Sequence, residues 1–251
     1  MNFKHALVRE PGFSFPQCIS SHPQKPELNY SKAIEQHTNY CQTLETLGLE
    51  IIRLPRDETY PDSCFVEDNV VIHNRKALIT RMGAESRRGE ENAVENVLQE
   101  YMKTRRAVFP ATIEGGDIIH LPDRLISGIT RRTNIHGINQ MKDWLEVSVD
   151  KIVDQRIVHL KSYVTFLGNN SIITTKSYAN LPILKNFDVL IVQDDEGYAA
   201  NTLTISNSVL MSEGFPKTQR MVKDAGFEVI SLNMSEFQKC EGALTCLSLI
   251  F

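Results

Sequence analysis

The sequence predicts an α/β protein assembled from a repeated unit of hairpin, helix and strand, arranged as a ring. Three observations carry that reading. Four apolar stretches share one layout of strand, polar turn and strand, and their turn centres Asn74, Asp123, Asn169 and Asn207 lie roughly 40–50 residues apart, a period found in repeat architectures. Amphipathic stretches follow most of the hairpins. The last apolar segment, Ala243 to Phe251, has no hairpin partner after it, and the first, Lys4 to Arg9, has none before it. Pairing those two segments would complete a fifth unit and remove exposed sheet edges, whereas a solenoid would need capping units. An ordinary mixed α/β domain with coincidental hairpin spacing accounts for the same pattern.

Taken in order, the hairpins are Phe65 to Ile72 with Ala77 to Thr80, Gly116 to His120 with Leu125 to Gly128, Tyr163 to Leu167 with Ser171 to Thr174, and Asn201 to Ile205 with Val209 to Ser212. Asn, Asp and Gly between β-branched runs are hairpin signals. A helix over Glu90 to Met102 places Ala93, Val94, Val97, Leu98 and Tyr101 on one face. Asn134 to Leu145 does the same with Ile138, Met141 and Leu145. Lys217 to Ala225 forms a third helix, stopped by Gly226. The strands that close the units are Ala107 to Phe109, Ile152-Val153, Asp188 to Val192 and Glu228 to Ile230.

With 251 residues, 41% apolar and 23% charged, the chain has an ordinary globular composition and can bury a substantial core without staples. The reading is one domain over residues 1–251. The net charge of -4 and pI near 6.0 argue against a nucleic-acid partner. The N-terminal residues hold no apolar signal region, and no stretch approaches the ~20 apolar residues of a membrane helix. The five cysteines (Cys18, Cys41, Cys64, Cys240, Cys246) form neither a disulfide framework nor a zinc pattern. A reduced, cytoplasmic protein with free thiols is expected.

The repeat also predicts where chemistry sits. Asp68, Asp117, Tyr163 and Asn201 each lie six residues before their turn centre, so a ring would turn them toward one axis. Polar groups on otherwise apolar strands are costly unless they serve something. The same symmetry would gather Asp68, Glu114, Asp117, His159 and Cys246, which are far apart in sequence; a nucleophile and its base need only meet in space.

Six motifs in order carry a family resemblance: Pro61 to Asp68 (PDSCFVED), Ile79-Thr80-Arg81 with Ser86-Arg87-Arg88, Glu114 to Asp117 (EGGD), Thr130 to Asn134 (TRRTN), His159 to Ser162 (HLKS) and Glu241 to Cys246 (EGALTC). Together they resemble dimethylarginine dimethylaminohydrolases, within a superfamily that includes arginine deiminases and amidinotransferases. The resemblance implies a five-bladed α/β propeller closed by the N- and C-terminal strands. It implies hydrolysis of Nω-methylated arginines to citrulline plus dimethylamine or methylamine, with no metal and no organic cofactor.

A guanidinium carbon is a poor electrophile because its charge is spread over three nitrogens, so attack on it calls for a thiolate. The resemblance makes Cys246 that nucleophile, although by position alone it reads as a buried structural cysteine. His159, otherwise a core histidine, becomes the general acid and base, with Glu114 beside it. Asp68 and Asp62 match carboxylates that bind guanidinium nitrogens. Glu67 is a further candidate, though strand neighbours face opposite sides. Asp117 reads equally well as an aspartate closing its turn. Arg87 and Arg132 match positions that bind the substrate carboxylate, with Arg88 and Arg131 as near neighbours.

Arginine deiminases and amidinotransferases usually carry an aspartate two residues after the histidine, where this chain has Lys161. That exchange favours a methylated substrate by leaving room for methyl groups. Pro11 to Lys25 is expected to form a short lid. Glu241 stands where the family often has aspartate, and Cys64 is a bystander thiol or an oxidation partner. The rival readings are an arginine deiminase, a hydrolase of another guanidino acid, and a noncatalytic binding propeller such as a ribosome-binding translation factor. Retention of the cysteine, histidine and both carboxylates argues against the last. The expected partner is a small guanidino amino acid, bound by a monomer or homodimer.

Overall fold

The computed structural model describes residues 4–251. The chain runs β1 (His5–Arg9), α1 (Tyr30–Thr46), β2 (Glu50–Leu54), β3 (Val70–His73), β4 (Lys76–Ile79), α2 (Glu91–Leu98), β5 (Lys103–Arg106), β6 (Ile118–His120), β7 (Leu125–Ile129), α3 (Ile135–Leu145) and β8 (Val149–Val153). It continues with β9 (Val164–Gly168), β10 (Ser171–Thr175), β11 (Asp188–Val192), β12 (Leu203–Ile205), β13 (Ser208–Ser212), α4 (Pro216–Asp224), β14 (Glu228–Leu232), α5 (Ser235–Lys239) and β15 (Ser248–Ile250). These strands make five three-stranded sheets, each an antiparallel pair with a third strand added in parallel. The unit of hairpin, connection and strand recurs as the sequence predicts, because a parallel third strand requires a crossover. In the third unit that crossover carries only the 3-10 turn Pro182–Leu184. The first and last strands share a sheet: Leu7 of β1 lies opposite Leu249 of β15, with β2 parallel on the other side.

Turn chemistry sets the hairpins. Asn74 and Arg75 (φ 46° and 59°) and Asn169 and Asn170 (φ 46° and 61°) take left-handed backbone at both central positions, the type I′ geometry that matches strand twist and favours asparagine. Gly226, at φ 93°, ends α4, as its sequence predicts.

Two expectations about strands are corrected. Residues 65–69 do not extend β3. Val66–Asn69 is a 3-10 turn, as are Gly115–Asp117 before β6, Leu160–Ser162 before β9 and Thr245–Leu247 before β15. These turns lie directly before apolar strands, and their buried members are held by packing of the turns and not by a ladder. The strand expected at Ala107 to Phe109 lies instead at β5, four mostly exposed polar residues. An outer strand is held by its main chain and needs no apolar side chains, so hydrophobicity misplaced it; Val108 and Phe109 are 60% and 79% exposed.

The core divides into five apolar clusters, each joining two neighbouring units. Val71 and Leu78 meet Ile118 and Ile138. Ile119 and Ile126 meet Val164 and Ile172, and Leu167 and Ile173 meet Val209 and Val222. Ile205 and Leu210 meet Ala6, Tyr40 and Leu244, and Leu7 and Leu249 meet Val70, Ile79 and Leu98. The expectation of five free thiols is also corrected: Cys18 and Cys240 form a disulfide with Cα atoms 5.9 Å apart, leaving Cys41, Cys64 and Cys246 free. A pairing across 222 residues has no spacing signature in sequence. Among the described residues no helix is long and apolar enough to cross a membrane.

Candidate active site

The turns that precede the first strand of each unit carry the chemistry. Asp68 sits in the turn before β3, Glu114 at the entry to the turn before β6, His159 at the entry to the turn before β9, and Cys246 within the turn before β15. The fourth unit contributes Asn201 just before β12. Equivalent positions in successive units are thus linked by side chains. Asp68 Oδ1 accepts from the Gly116 amide at 3.0 Å, and Asp117 Oδ1 from the Leu160 amide at 2.9 Å. Asn201 Nδ2 donates to the Lys161 carbonyl at 3.1 Å, and its Oδ1 accepts from the Thr245 amide at 3.1 Å. Thr245 Oγ1 donates to Glu67 at 2.8 Å, returning to the first unit. Asp117, which also accepts from Thr130 Oγ1 at 2.8 Å, is fully buried and therefore serves the turns.

His159 Nε2 donates to Glu114 Oε2 at 2.7 Å and lies 3.7 Å from Asp68 Oδ1. Burial pushes the imidazole pKa down, but Asp68, Glu114 and Asp117 outweigh it and raise it to about 9, so His159 is an imidazolium at neutral pH. Burial pushes Glu114 the other way, but the hydrogen bond from His159, with Arg87 and Arg132 nearby, holds its carboxyl below the usual range. Glu114 Oε1 also accepts from the Gly83 and Ala84 amides at 2.8 and 3.3 Å. A Cβ at Gly116 would come within 2.8 Å of the His159 ring and 2.9 Å of Asp68 Oδ1, so only glycine lets these two approach. Asp68, Glu114 and His159 offer atoms within 4.8 Å of one another, the spacing of a metal-ligand set. Their oxygens are engaged by Arg87, by main-chain amides and by the imidazole, so the geometry is that of a proton-sharing cluster.

Cys246 is partly exposed. Burial of its surroundings, followed by the Glu67 and Asp68 carboxylates, pushes its thiol up to about 12. Asp62 is buried, and both its oxygens accept from the Ile19 amide at 3.2 and 3.1 Å, tying the 11–25 segment to the cluster. Arg132 keeps some exposure, with Nε 3.9 Å from Glu114. Arg87 is more committed than expected: Nη1 donates to Asp68 at 2.7 Å, while Nε and Nη2 grip Glu90 at 2.9 and 2.8 Å. One Nη1 hydrogen remains without an acceptor among the described residues. Glu67 is committed too, with Oε1 on Lys161 Nζ at 2.6 Å and Oε2 on Thr245.

Sequence reasoning missed Glu90, Thr245 and the Ile19 amide. Glu90 stands three residues after Arg87, a helix-type pairing that its spacing could have flagged. The Ile19 amide carries no side-chain signal at all.

The likeness of the chain to known proteins agrees with this geometry. The family model described as N,N dimethylarginine dimethylhydrolase, eukaryotic, matches residues 18–180. The N(G),N(G)-dimethylarginine dimethylaminohydrolase of Pseudomonas aeruginosa is 37% identical, over 99% of this chain and 100% of that protein. The protein of the same name from Streptomyces coelicolor is 33% identical, over 99% of this chain and 97% of its own. A solved structure of the Pseudomonas aeruginosa enzyme, a cysteine-to-serine mutant complexed with citrulline, superposes over the full length of both chains with a TM-score of 0.97 at 35% identity. Sequence likeness along almost the whole chain thus accompanies a cysteine, a histidine and two carboxylates brought to one place by the repeat, and the protein belongs to the dimethylarginine dimethylaminohydrolase family.

Proposed function

We propose that the protein hydrolyses Nω-methylated arginines to citrulline and dimethylamine or methylamine, with Cys246, His159 and Glu114 as its catalytic groups. The observation that carries the reading is the His159–Glu114 contact at 2.7 Å, beside Asp68, which lies 3.7 Å from His159 and also acts on the Cys246 thiol. Such a site accepts a cation. A guanidinium between Asp68 and the sulfur offsets the carboxylates that hold the thiol protonated, so the thiol loses its proton to solvent as substrate binds. The thiolate then adds to the guanidinium carbon. His159, an imidazolium at rest, gives its proton to the departing amine, and a thiouronium remains on Cys246. The neutral imidazole takes a proton from water as its oxygen attacks the same carbon. Collapse of that adduct breaks the carbon–sulfur bond, the hydroxyl proton passes to the departing sulfur, and citrulline and the Cys246 thiol are released.

Asp68 and Asp62 face the guanidinium end. Arg132 and the free Nη1 hydrogen of Arg87 take the substrate carboxylate, and residues 11–25 cover it. Glu67, already held by Lys161 and Thr245, acts at one remove. The five sheets close a propeller around this cluster within one domain; support for closure comes from the side-chain links between successive turns and from the pairing of β1 with β15.

A product assay tests the reading. Incubation with asymmetric dimethylarginine, monomethylarginine and arginine should give citrulline with dimethylamine or methylamine from the first two and little ammonia from the third. Cys246→Ser should remove turnover while circular dichroism stays unchanged. Turnover surviving that substitution would sink the mechanism, and citrulline formed mainly from arginine would overturn the substrate.

A further inference from the structure

Lys161 and Glu67 meet at 2.6 Å in a contact that the chemistry above leaves unused. Glu67 belongs to the turn before β3, Lys161 to the turn before β9, and the other oxygen of Glu67 is held at 2.8 Å by Thr245, the residue immediately before Cys246. Thr245 is fixed a second time by Asn201, which accepts from its amide and donates to its hydroxyl at 3.0 Å. Asn201 also donates to the Lys161 carbonyl. Lys161 is thus bound by its main chain and its ammonium to the two residues that hold Thr245.

We propose that Lys161 is a positioning residue for the nucleophile: its ammonium holds and neutralises Glu67, and Glu67 fixes the turn that presents Cys246. The exchange of aspartate for lysine two residues after the histidine therefore does more than open space. The ammonium fills the place with a counter-charge and keeps a second free carboxylate from facing the sulfur. A bare Glu67 there would make the thiol harder to ionise. The groups facing Cys246 are Glu67 and Asp68 from the first unit, Lys161 from the third, Tyr198 from the fourth, and Tyr40 and Cys64 on the remaining sides. Lys161 is the cation bonded to Glu67, and the His159 imidazolium, 3.7 Å from Asp68, is the other positive group at the site.

This proposal rests on Cys246 being the nucleophile, and its test reads the thiol directly. The rate of Cys246 alkylation by iodoacetamide is measured from pH 7 to 10 on the full chain, with Cys246→Ser as the blank for Cys41 and Cys64. In Lys161→Met the rate at fixed pH should fall about three- to tenfold, a loss of thiolate partly offset by the greater nucleophilicity of a more basic sulfur. The kcat should fall more than the KM rises. Lys161→Arg should restore both, and Glu67→Gln added to Lys161→Met should restore the alkylation rate by removing the uncovered charge. If Lys161→Met does not fold, Lys161→Gln, which keeps a donor to Glu67 without the charge, gives the same comparison. An unchanged alkylation rate in the lysine variants, or a double variant as slow as the single, would overturn the proposal. A wild-type chain that releases no amine from methylated arginines would count against the proposed function, while the alkylation series would still decide the role of Lys161.

Discussion

His159 keeps its proton because three carboxylates outweigh the cost of burying an imidazolium, and Glu114 does most of the orienting through its 2.7 Å contact. Replacing Glu114 by Gln should therefore lower the His159 pKa by ~1 unit or more, read from the histidine ring protons by NMR, and move the alkaline limb of kcat to lower pH. An unmoved limb would exclude Glu114 as the partner that sets the proton. A histidine raised from 6.5 to about 9 contributes stability that is full below pH 6.5 and lost as pH rises through about 9. The contribution is of the order of 3 kcal/mol, shared with Glu114 and not additional to it. Urea unfolding of the wild type should weaken from pH 7 to 10, and Glu114→Gln should flatten that slope. At this scale the sequence was informative about which residues matter and poor on their bonds. Cys246, His159, Glu114 and Asp68 stood out by motif, but nothing local shows that Arg87 spends most of its donors on Glu90 and Asp68, because those choices depend on which turns pack together.

Helices and turns follow local rules more closely. Asn134 caps α3 by accepting from the Gly137 amide at 2.9 Å, and it also accepts from Thr112 and donates to the Pro110 carbonyl. Asn134→Ala should cost about 1–2 kcal/mol, measured by urea denaturation; a loss near zero would mean that water replaces all three bonds. The helix there was legible from its apolar spacing, and the hairpins from their asparagine turns. The starts of the strands were not. Residues 65–69 lead directly into the apolar run of β3 and residues 243–247 are largely apolar, yet Val66–Asn69 and Thr245–Leu247 are 3-10 turns whose polar members bond to neighbouring units. β5 failed in the opposite direction, since Lys103–Arg106 is held by main-chain pairing to β4.

Across the whole molecule, one covalent link joins distant segments. The Cys18–Cys240 disulfide ties the 11–25 segment to the end of α5, six residues before Cys246. Ser20 Oγ donates to the Lys239 carbonyl and Ser21 Oγ to Glu241, each at 2.7 Å. Cys18→Ser should lower unfolding free energy by about 2–4 kcal/mol, measured without reductant. It should also raise KM more than it lowers kcat if the loosened segment is the proposed cover over the substrate. A KM equal to that of the wild type would show that Asp62 and the two serines hold the segment unaided.

The sequence by itself determined the repeating unit, its turns and the residue types of the site, because hairpin geometry and amphipathic spacing are local properties of the chain. The repeat set Asp68, Asp117, Tyr163 and Asn201 at matching points, and the family motifs singled out Cys246, His159 and Glu114 as candidates. Only the tertiary structure decided the partners: Lys161 with Glu67, Arg87 with Glu90, Asp62 with the Ile19 amide, and Cys18 with Cys240. Most of those pairs join residues from different units, and each partner is chosen among several nearby groups of like chemistry. The choice is made by how buried turns pack, where a charge without its counter-charge is too costly to leave.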